Sequence, residues 1–299
     1  MPSEAHQSVV AALRQQGALA SGESEVDVAA MREGMEAVTA SSVLPEGTVC
    51  EPVDVDGIPA EWIDGPDVDR GRVLLYFHGG GYVLGSIATH RAMVAQIAAE
   101  AGVRALLIDY RLAPEHPFPA AVEDAVSAYR FLRDDGYKST EIALGGDSAG
   151  GGLTLACLLS LRDEEEPLPE AAILLSPWVD LEGLGESMTT RADADPMIDR
   201  DGLLKMSALY LNGESPRNPL AAPLHANLLG LPPLYIQAGT AETLLDDATR
   251  IEENARRAGV PTEMDLYPDL IHVFQAFAPQ VPEAVEAIQK LGAYLRRQY

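Results

Sequence analysis

The chain has 299 residues and carries 21 Lys and Arg against 46 Asp and Glu, a formal net charge of −25. That length can bury one large α/β core or two smaller ones, and 47% hydrophobic residues sets global disorder aside. A surface this acidic repels phosphate backbones and anionic headgroups, so nucleic acid and anionic membranes are poor partners.

Lysine is scarce (Lys138, Lys205 and Lys290), a composition that stays soluble in high salt. The two cysteines, Cys50 and Cys157, lie in no CxxC pair and cannot build a disulfide framework, so they read as unpaired thiols in a reducing compartment. The first residues, Met1-Pro2-Ser3-Glu4-Ala5-His6, lack the basic and apolar regions of a signal peptide. No apolar run approaches the ~18–20 residues that span a bilayer. The expectation is a soluble cytoplasmic protein with no membrane partner.

Residues 1–45 read as helical. Val9, Val10 and Leu13 share one face, and Val28, Met31, Met35 and Val38 share another. From about residue 48 short β-like runs alternate with helical ones. Strands are predicted at Val73–Phe77, Ala105–Asp109, Ile142–Leu144, Ala172–Leu175 and Leu234–Gln237. Their nearly continuous apolar character suits parallel strands covered on both faces. Helices are predicted at His90–Ala101, Ala120–Arg133, Gly151–Arg162, Asp246–Ala258 and Val281–Arg297. The alternation argues for a parallel sheet with right-handed crossovers. Residues 183–217 break the rhythm, followed by the proline-rich Pro216–Pro233, and read with the N-terminal helices as a lid over a pocket. The expected division is 1–45 and 183–217 as a helical cap, with 46–182 and 218–299 as the catalytic domain.

Gly146-Asp147-Ser148-Ala149-Gly150 matches GxSxG between a predicted strand and a predicted helix. That context is the nucleophile elbow, in which Ser148 occupies a strained turn and Gly146 and Gly150 give it room. His78-Gly79-Gly80-Gly81-Tyr82 follows the Val73–Phe77 strand. Such a run occurs by chance in of order one in several hundred chains. Bare glycine amides can approach a developing alkoxide, so the N–H groups of Gly80 and Gly81, with that of Ala149, are the candidate oxyanion hole. His78 reads as a loop anchor.

A serine hydroxyl needs a base. The histidines are His6, His78, His90, His116, His225 and His272, and only the last two follow Ser148. His272 also follows a candidate acid at a strand end, in the chain order Ser, acid, His, and is assigned as the base. The acid lies in Gly239-Thr240-Ala241-Glu242-Thr243-Leu244-Leu245-Asp246-Asp247. Glu242 is preferred because it comes early in the loop; Asp246 is the alternative, although it sits where a helix N-terminal charge belongs. Tyr82 and Trp178 are candidates for lining the substrate site. No HExxH or paired-histidine spacing suggests zinc.

With these residues placed, the chain resembles the hormone-sensitive-lipase family of α/β-hydrolases, the bacterial family IV esterases. The matching pieces are His78–Gly81, the stretch Asp109–Pro119 (Asp-Tyr-Arg-Leu-Ala-Pro-Glu-His-Pro-Phe-Pro), the elbow Gly146–Gly150, and the acid and histidine loops. The resemblance implies an α/β-hydrolase fold, with a mostly parallel eight-stranded sheet and a helical cap. It implies hydrolysis of short acyl esters without cofactor or metal, and an Asp109–Pro119 stretch that buttresses the oxyanion loop. Many members place Asp in a Gly-x-x-Asp-Pro-Leu pattern where this chain has Glu242, as a subgroup does. By analogy with the family, two copies would pair through the edge strand near Thr262–Tyr267. A lactonase, a deacetylase or an amidase shares the same machinery, and a non-catalytic receptor on this fold is disfavoured because both Ser148 and His272 are present.

Overall fold

A computed structural model describes residues 1–20, 27–40 and 42–299. In chain order the elements are α1 (Glu4–Ala20), α2 (Val28–Thr39), β1 (Val49–Val55), β2 (Ile58–Asp64), β3 (Asp69–Phe77), α3 (Ile87–Ala101), β4 (Val103–Ile108) and α4 (Ala120–Asp134). They continue with β5 (Ile142–Asp147), α5 (Ala149–Asp163), β6 (Ala171–Leu175), α6 (Ser187–Thr190), α7 (Arg200–Leu211), β7 (Leu234–Gly239), α8 (Leu245–Arg257), β8 (Thr262–Tyr267) and α9 (Pro282–Gln298). The helical reading of residues 21–26 and 41 lies outside the described residues.

The eight strands form one sheet in the order β1-β2-β4-β3-β5-β6-β7-β8. Strands β3 to β8 pair in parallel, while β2 runs antiparallel to both β1 and β4. The expected mostly parallel eight-stranded sheet is therefore present. Five of its six parallel members are the predicted strands, each within three residues at either end except β3, which begins four residues earlier; the sixth, β8, is the edge strand expected near Thr262–Tyr267. The hairpin β1–β2 had no predicted strand.

Alternation along each buried strand divides its side chains between two cores. Val73, Leu75 and Phe77 of β3 face a core with Leu132 of α4, Leu153 of α5 and Ile251 of α8. Leu74 and Tyr76 face the other, with Val94 and Ile97 of α3 and Leu291 and Leu295 of α9. Period-2 side-chain alternation in strands apolar on both faces produces this two-sided cover. Cys50 and Cys157 are both free thiols. Among the described residues, no helix is long and apolar enough to cross a membrane.

The predicted faces of the N-terminal helices are used unequally. Ala5, Val9, Val10 and Leu13 of α1 pack on Tyr267, Leu270, Ile271 and Phe274 around the loop that follows β8. On α2, Val28 and Met35 pack inward, but Met31 and Val38 stay exposed. Polar contacts fix α2 instead: the Arg32 guanidinium donates to the carbonyls of Val83 (2.9 Å) and Ala113 (3.0 Å) and pairs with Glu115 (2.8 Å). Residues 183–217 contain α6 and α7 and no strand.

Candidate active site

The loops after β3, β5, β6, β7 and β8 all leave the same edge of the sheet, because these strands are parallel. Ser148 caps the N-terminus of α5 with φ 52° and ψ −120°, a conformation L-residues rarely adopt. Its N–H donates to the Leu175 carbonyl (2.8 Å), and its own carbonyl accepts from Gly151, Gly152 and Trp178. The elbow closes only because its flanks lack side chains. A Cβ on Gly146 would stand 2.2 Å from the Gly150 oxygen, and one on Gly150 would stand 2.0 Å from the Phe77 oxygen.

The glycine loop lies beside this turn. Gly80 (φ 116°) accepts at its carbonyl from Val83 and Leu84, at 3.1 and 2.8 Å. Among the described residues the N–H groups of Gly80 and Gly81 donate to no protein acceptor, and neither does that of Ala149 at the start of α5. His78 is an anchor. It is fully buried, its Nδ1 meets the Gly79 carbonyl at 2.8 Å, and its ring stacks on Tyr110 at 4.3 Å. Burial, with His90 close by, pushes its pKa down to about 3, so the ring is neutral. Tyr110 donates to the His78 carbonyl (2.8 Å) and Ala113 N–H to that of Tyr82 (2.9 Å), so the Asp109–Pro119 stretch does contact the glycine loop.

His272 is 3% exposed and Glu242 is fully buried. The His272 Nδ1 and Glu242 Oε1 face each other at 3.8 Å, and neither has a hydrogen-bond partner among the described residues. The contact is longer than a hydrogen bond. Among the described residues the Ser148 hydroxyl makes no hydrogen bond to the ring; their two loops meet at the end of β6, where Leu175 accepts the Ser148 N–H and Ser176 accepts the Val273 N–H. Burial alone would lower the His272 pKa, but the Glu242 carboxylate, with Asp195 and Asp147 behind it, outweighs burial and leaves it raised above the usual imidazole value.

The alternatives lie elsewhere. Asp246 accepts from the Ser187 N–H (3.0 Å) and donates its own N–H to the Ser187 hydroxyl (3.0 Å), holding α6 to the start of α8. His225 faces Glu182 at 3.6 Å.

The family model described as alpha/beta hydrolase fold matches residues 74–276. An acetyl-hydrolase of Streptomyces hygroscopicus is 46% identical over 253 residues, covering 85% of this chain and 83% of that protein. The crystal structure of an esterase from the bacterial hormone-sensitive lipase family is 47% identical, with a TM-score of 0.95 over 100% of this chain and 99% of the other. A structure of EstE5 soaked with p-nitrophenyl butyrate is 45% identical, with a TM-score of 0.93 and 99% of each chain covered. The chain belongs to the α/β-hydrolases. It is a carboxylic ester hydrolase of the bacterial hormone-sensitive-lipase family.

Three buried side chains of this esterase escaped the sequence reading. Asp147 accepts from Tyr76 Oη (3.0 Å) and Gly79 N–H (3.2 Å) and faces His90 Nε2 (3.3 Å). Burial would raise its pKa, but His90, Tyr76 and His78 together hold it below the usual carboxylate value. Asp195, from the 183–217 segment, accepts from the Thr243 N–H (2.9 Å) next to Glu242, and from Met197 and Ile198. Ser176 follows β6, donates to Glu242 Oε2 (2.8 Å) and accepts from the Val273 N–H (3.2 Å). Asp147 lies inside the elbow motif and was open to notice; Ser176 and Asp195 carry no local signal.

Tyr82 and Trp178 sit at the esterase's core rather than on an open wall, each 1% exposed. Tyr82 stacks on Tyr210 of α7 at 3.8 Å and lies 6.0 Å from Trp178. The same helix places Met206 against the glycine loop, where a Cβ on Gly81 would meet its sulfur at 2.2 Å. The 183–217 segment therefore touches both the glycine loop and the acid loop.

Proposed function

We propose that this esterase hydrolyses short-chain acyl esters through a Ser148-His272-Glu242 triad. Ser148 attacks the ester carbonyl while His272 Nε2 takes the hydroxyl proton. The carbonyl oxygen becomes an alkoxide and accepts from the N–H groups of Gly80, Gly81 and Ala149. The tetrahedral intermediate collapses, the alcohol leaves with the proton held by His272, and an acyl-serine remains. Water, deprotonated by His272, then attacks that ester and returns the free acid and Ser148. Glu242 keeps the imidazole proton on Nδ1 and stabilises the imidazolium.

The observation that carries this reading is the facing of His272 Nδ1 and Glu242 Oε1, two buried atoms with no hydrogen-bond partner among the described residues, in loops beside a serine held at φ 52°. Closing the 3.8 Å gap to hydrogen-bond length asks for under an ångström of movement, and catalytic contacts commonly tighten only with substrate present. Helices α1 and α2 with residues 183–217 form the cap in this reading, and Tyr82 and Trp178 back the acyl pocket beneath it. The acetyl-hydrolase relative and the p-nitrophenyl butyrate soak of the EstE5 neighbour support a short acyl group, as does the crowding of Met206 and Tyr210 on the glycine loop.

A series of p-nitrophenyl esters tests it. Activity is expected to peak with acetate or butyrate and to fall steeply by laurate. A peak with long chains would contradict the short-acyl assignment, and no turnover of any ester would contradict the whole reading.

A further inference from the structure

We infer that Ser176 is a fourth, positioning member of the proton-relay system, setting the Glu242 carboxylate and the His272 loop with one oxygen atom. The inference rests on the triad reading above. Ser176 Oγ gives its only proton to Glu242 Oε2 at 2.8 Å and receives the Val273 N–H at 3.2 Å. The acid that orients the imidazole and the backbone adjoining that imidazole therefore share a hinge point. The Gly239 N–H also donates to Glu242 Oε2, at 3.1 Å. Both donors hold the same oxygen, which leaves Oε1 alone to face His272 Nδ1. A carboxylate free to rotate would offer either oxygen; this one is assigned.

The placement of Ser176 is itself constrained. Its N–H bonds the Gln237 carbonyl at 2.7 Å, and its φ is 44°, which a non-glycine residue adopts only when its surroundings impose it. It is fully buried, so water cannot replace a lost hydroxyl there. The residue before it, Leu175, accepts the Ser148 N–H. One two-residue stretch at the end of β6 thus touches the backbone of the nucleophile, the side chain of the acid and the backbone beside the base. The arrangement also accounts for glutamate. Oε2 must reach back to the end of β6 while Oε1 reaches the ring, and the longer side chain allows both.

The test is a double-mutant cycle read with p-nitrophenyl butyrate. Ser176→Ala is expected to lower kcat by roughly 10–100-fold, the range for losing a hydrogen bond to a charged group. KM should stay within about two-fold, because the hydroxyl faces away from substrate. The pH midpoint of kcat/KM should fall toward the ordinary imidazole value of ~6.5, since a loosened Glu242 supports the imidazolium less. Ser176→Gly removes the hydroxyl while relieving the positive φ, and it should show the same losses even if the alanine variant folds poorly. In a Glu242→Ala background the Ser176 substitution should cost several-fold less than in the wild type, because only its contact with the Val273 N–H is left to lose. Wild-type kcat in both Ser176 variants, or an equal fold-loss in both backgrounds, overturns the role. If Glu242→Ala alone retains wild-type kcat, the triad reading fails first and this one with it.

Discussion

Ser148 pays for its position in backbone strain, and the surrounding bonds show what holds it there. Its N–H and carbonyl are bonded to Leu175, Trp178 and the first turn of α5, and the two flanking glycines pack on α5 and the end of β3, so removing the hydroxyl should leave the turn intact. Ser148→Ala is therefore expected to fold normally and to lose roughly 10³–10⁶-fold in kcat. Near-wild-type turnover by a purified variant would contradict the nucleophile. His272 gives a prediction in pH. Only its neutral form accepts the serine proton, and its pKa is raised. Activity should thus rise with pH through a midpoint above the ~6.5 of free imidazole. Glu242→Gln removes the charge that outweighs burial, so its residual activity should titrate with a midpoint below that value. A midpoint that does not move between the two proteins would detach Glu242 from His272. At this scale the sequence displays Ser148, His272 and the glycines plainly, because local motifs carry them. It leaves Glu242 and Asp246 competing; in the structure Asp246 is engaged by Ser187 while Glu242 faces the ring, which supports the Glu242 of the proposed triad. Ser176 and Asp195 were illegible for one reason: their partners lie 66 and 48 residues away in the chain.

Elements differ in how openly the chain announces them. The parallel strands were readable from short, continuous apolar runs that two-sided burial demands. The β1–β2 hairpin was not, because β1 is an edge strand with Glu51, Pro52 and Asp54 and most of its residues reach solvent. The signal was nevertheless present. Asp56 (φ 53°) and Gly57 (φ 92°) both adopt positive φ, and Asp-Gly is the preferred pair for the tight turn that joins such strands. The opposite error concerns α2, where four apolar residues at helical spacing suggested a buried face and only two of them pack. Segment 183–217 is joined to the acid loop by Asp195, whose carboxylate accepts from three backbone N–H groups and faces the Thr243 hydroxyl at 3.3 Å. Asp195→Ala strands those donors in a site only 8% exposed. It should cost about 2–4 kcal/mol in urea unfolding, the cost of leaving several buried donors unpaired. A change below about 0.5 kcal/mol, typical of surface substitutions, would show that the segment is held by other contacts.

For the whole molecule, strand order matters more than any single contact. The order β4-β3-β5-β6-β7-β8 sends every loop of the candidate site from one edge, and helices on both faces fix the strands that carry them. Loops at the carboxyl ends of parallel strands are where open α/β sheets gather their chemistry. Net charge acts on the same scale. With −25 spread over one fold, self-repulsion opposes the compact state, and exposed ion pairs such as Arg257–Glu253 and Arg297–Glu263 return little. Raising salt from ~0.1 M to ~1 M shortens the screening length from ~10 Å to ~3 Å. Tm should consequently rise with added sodium chloride, and a Tm that falls would mean that the ion pairs outweigh the repulsion.

The most direct measurement is a covalent one. The protein is incubated with a fluorophosphonate, an electrophile that traps an activated serine, and its intact mass and peptides are then determined. A single adduct on the peptide carrying Ser148 is expected, lost in Ser148→Ala and formed far more slowly in His272→Ala. An unlabelled protein, an adduct on another residue, or labelling as fast without the imidazole would contradict a serine activated by His272.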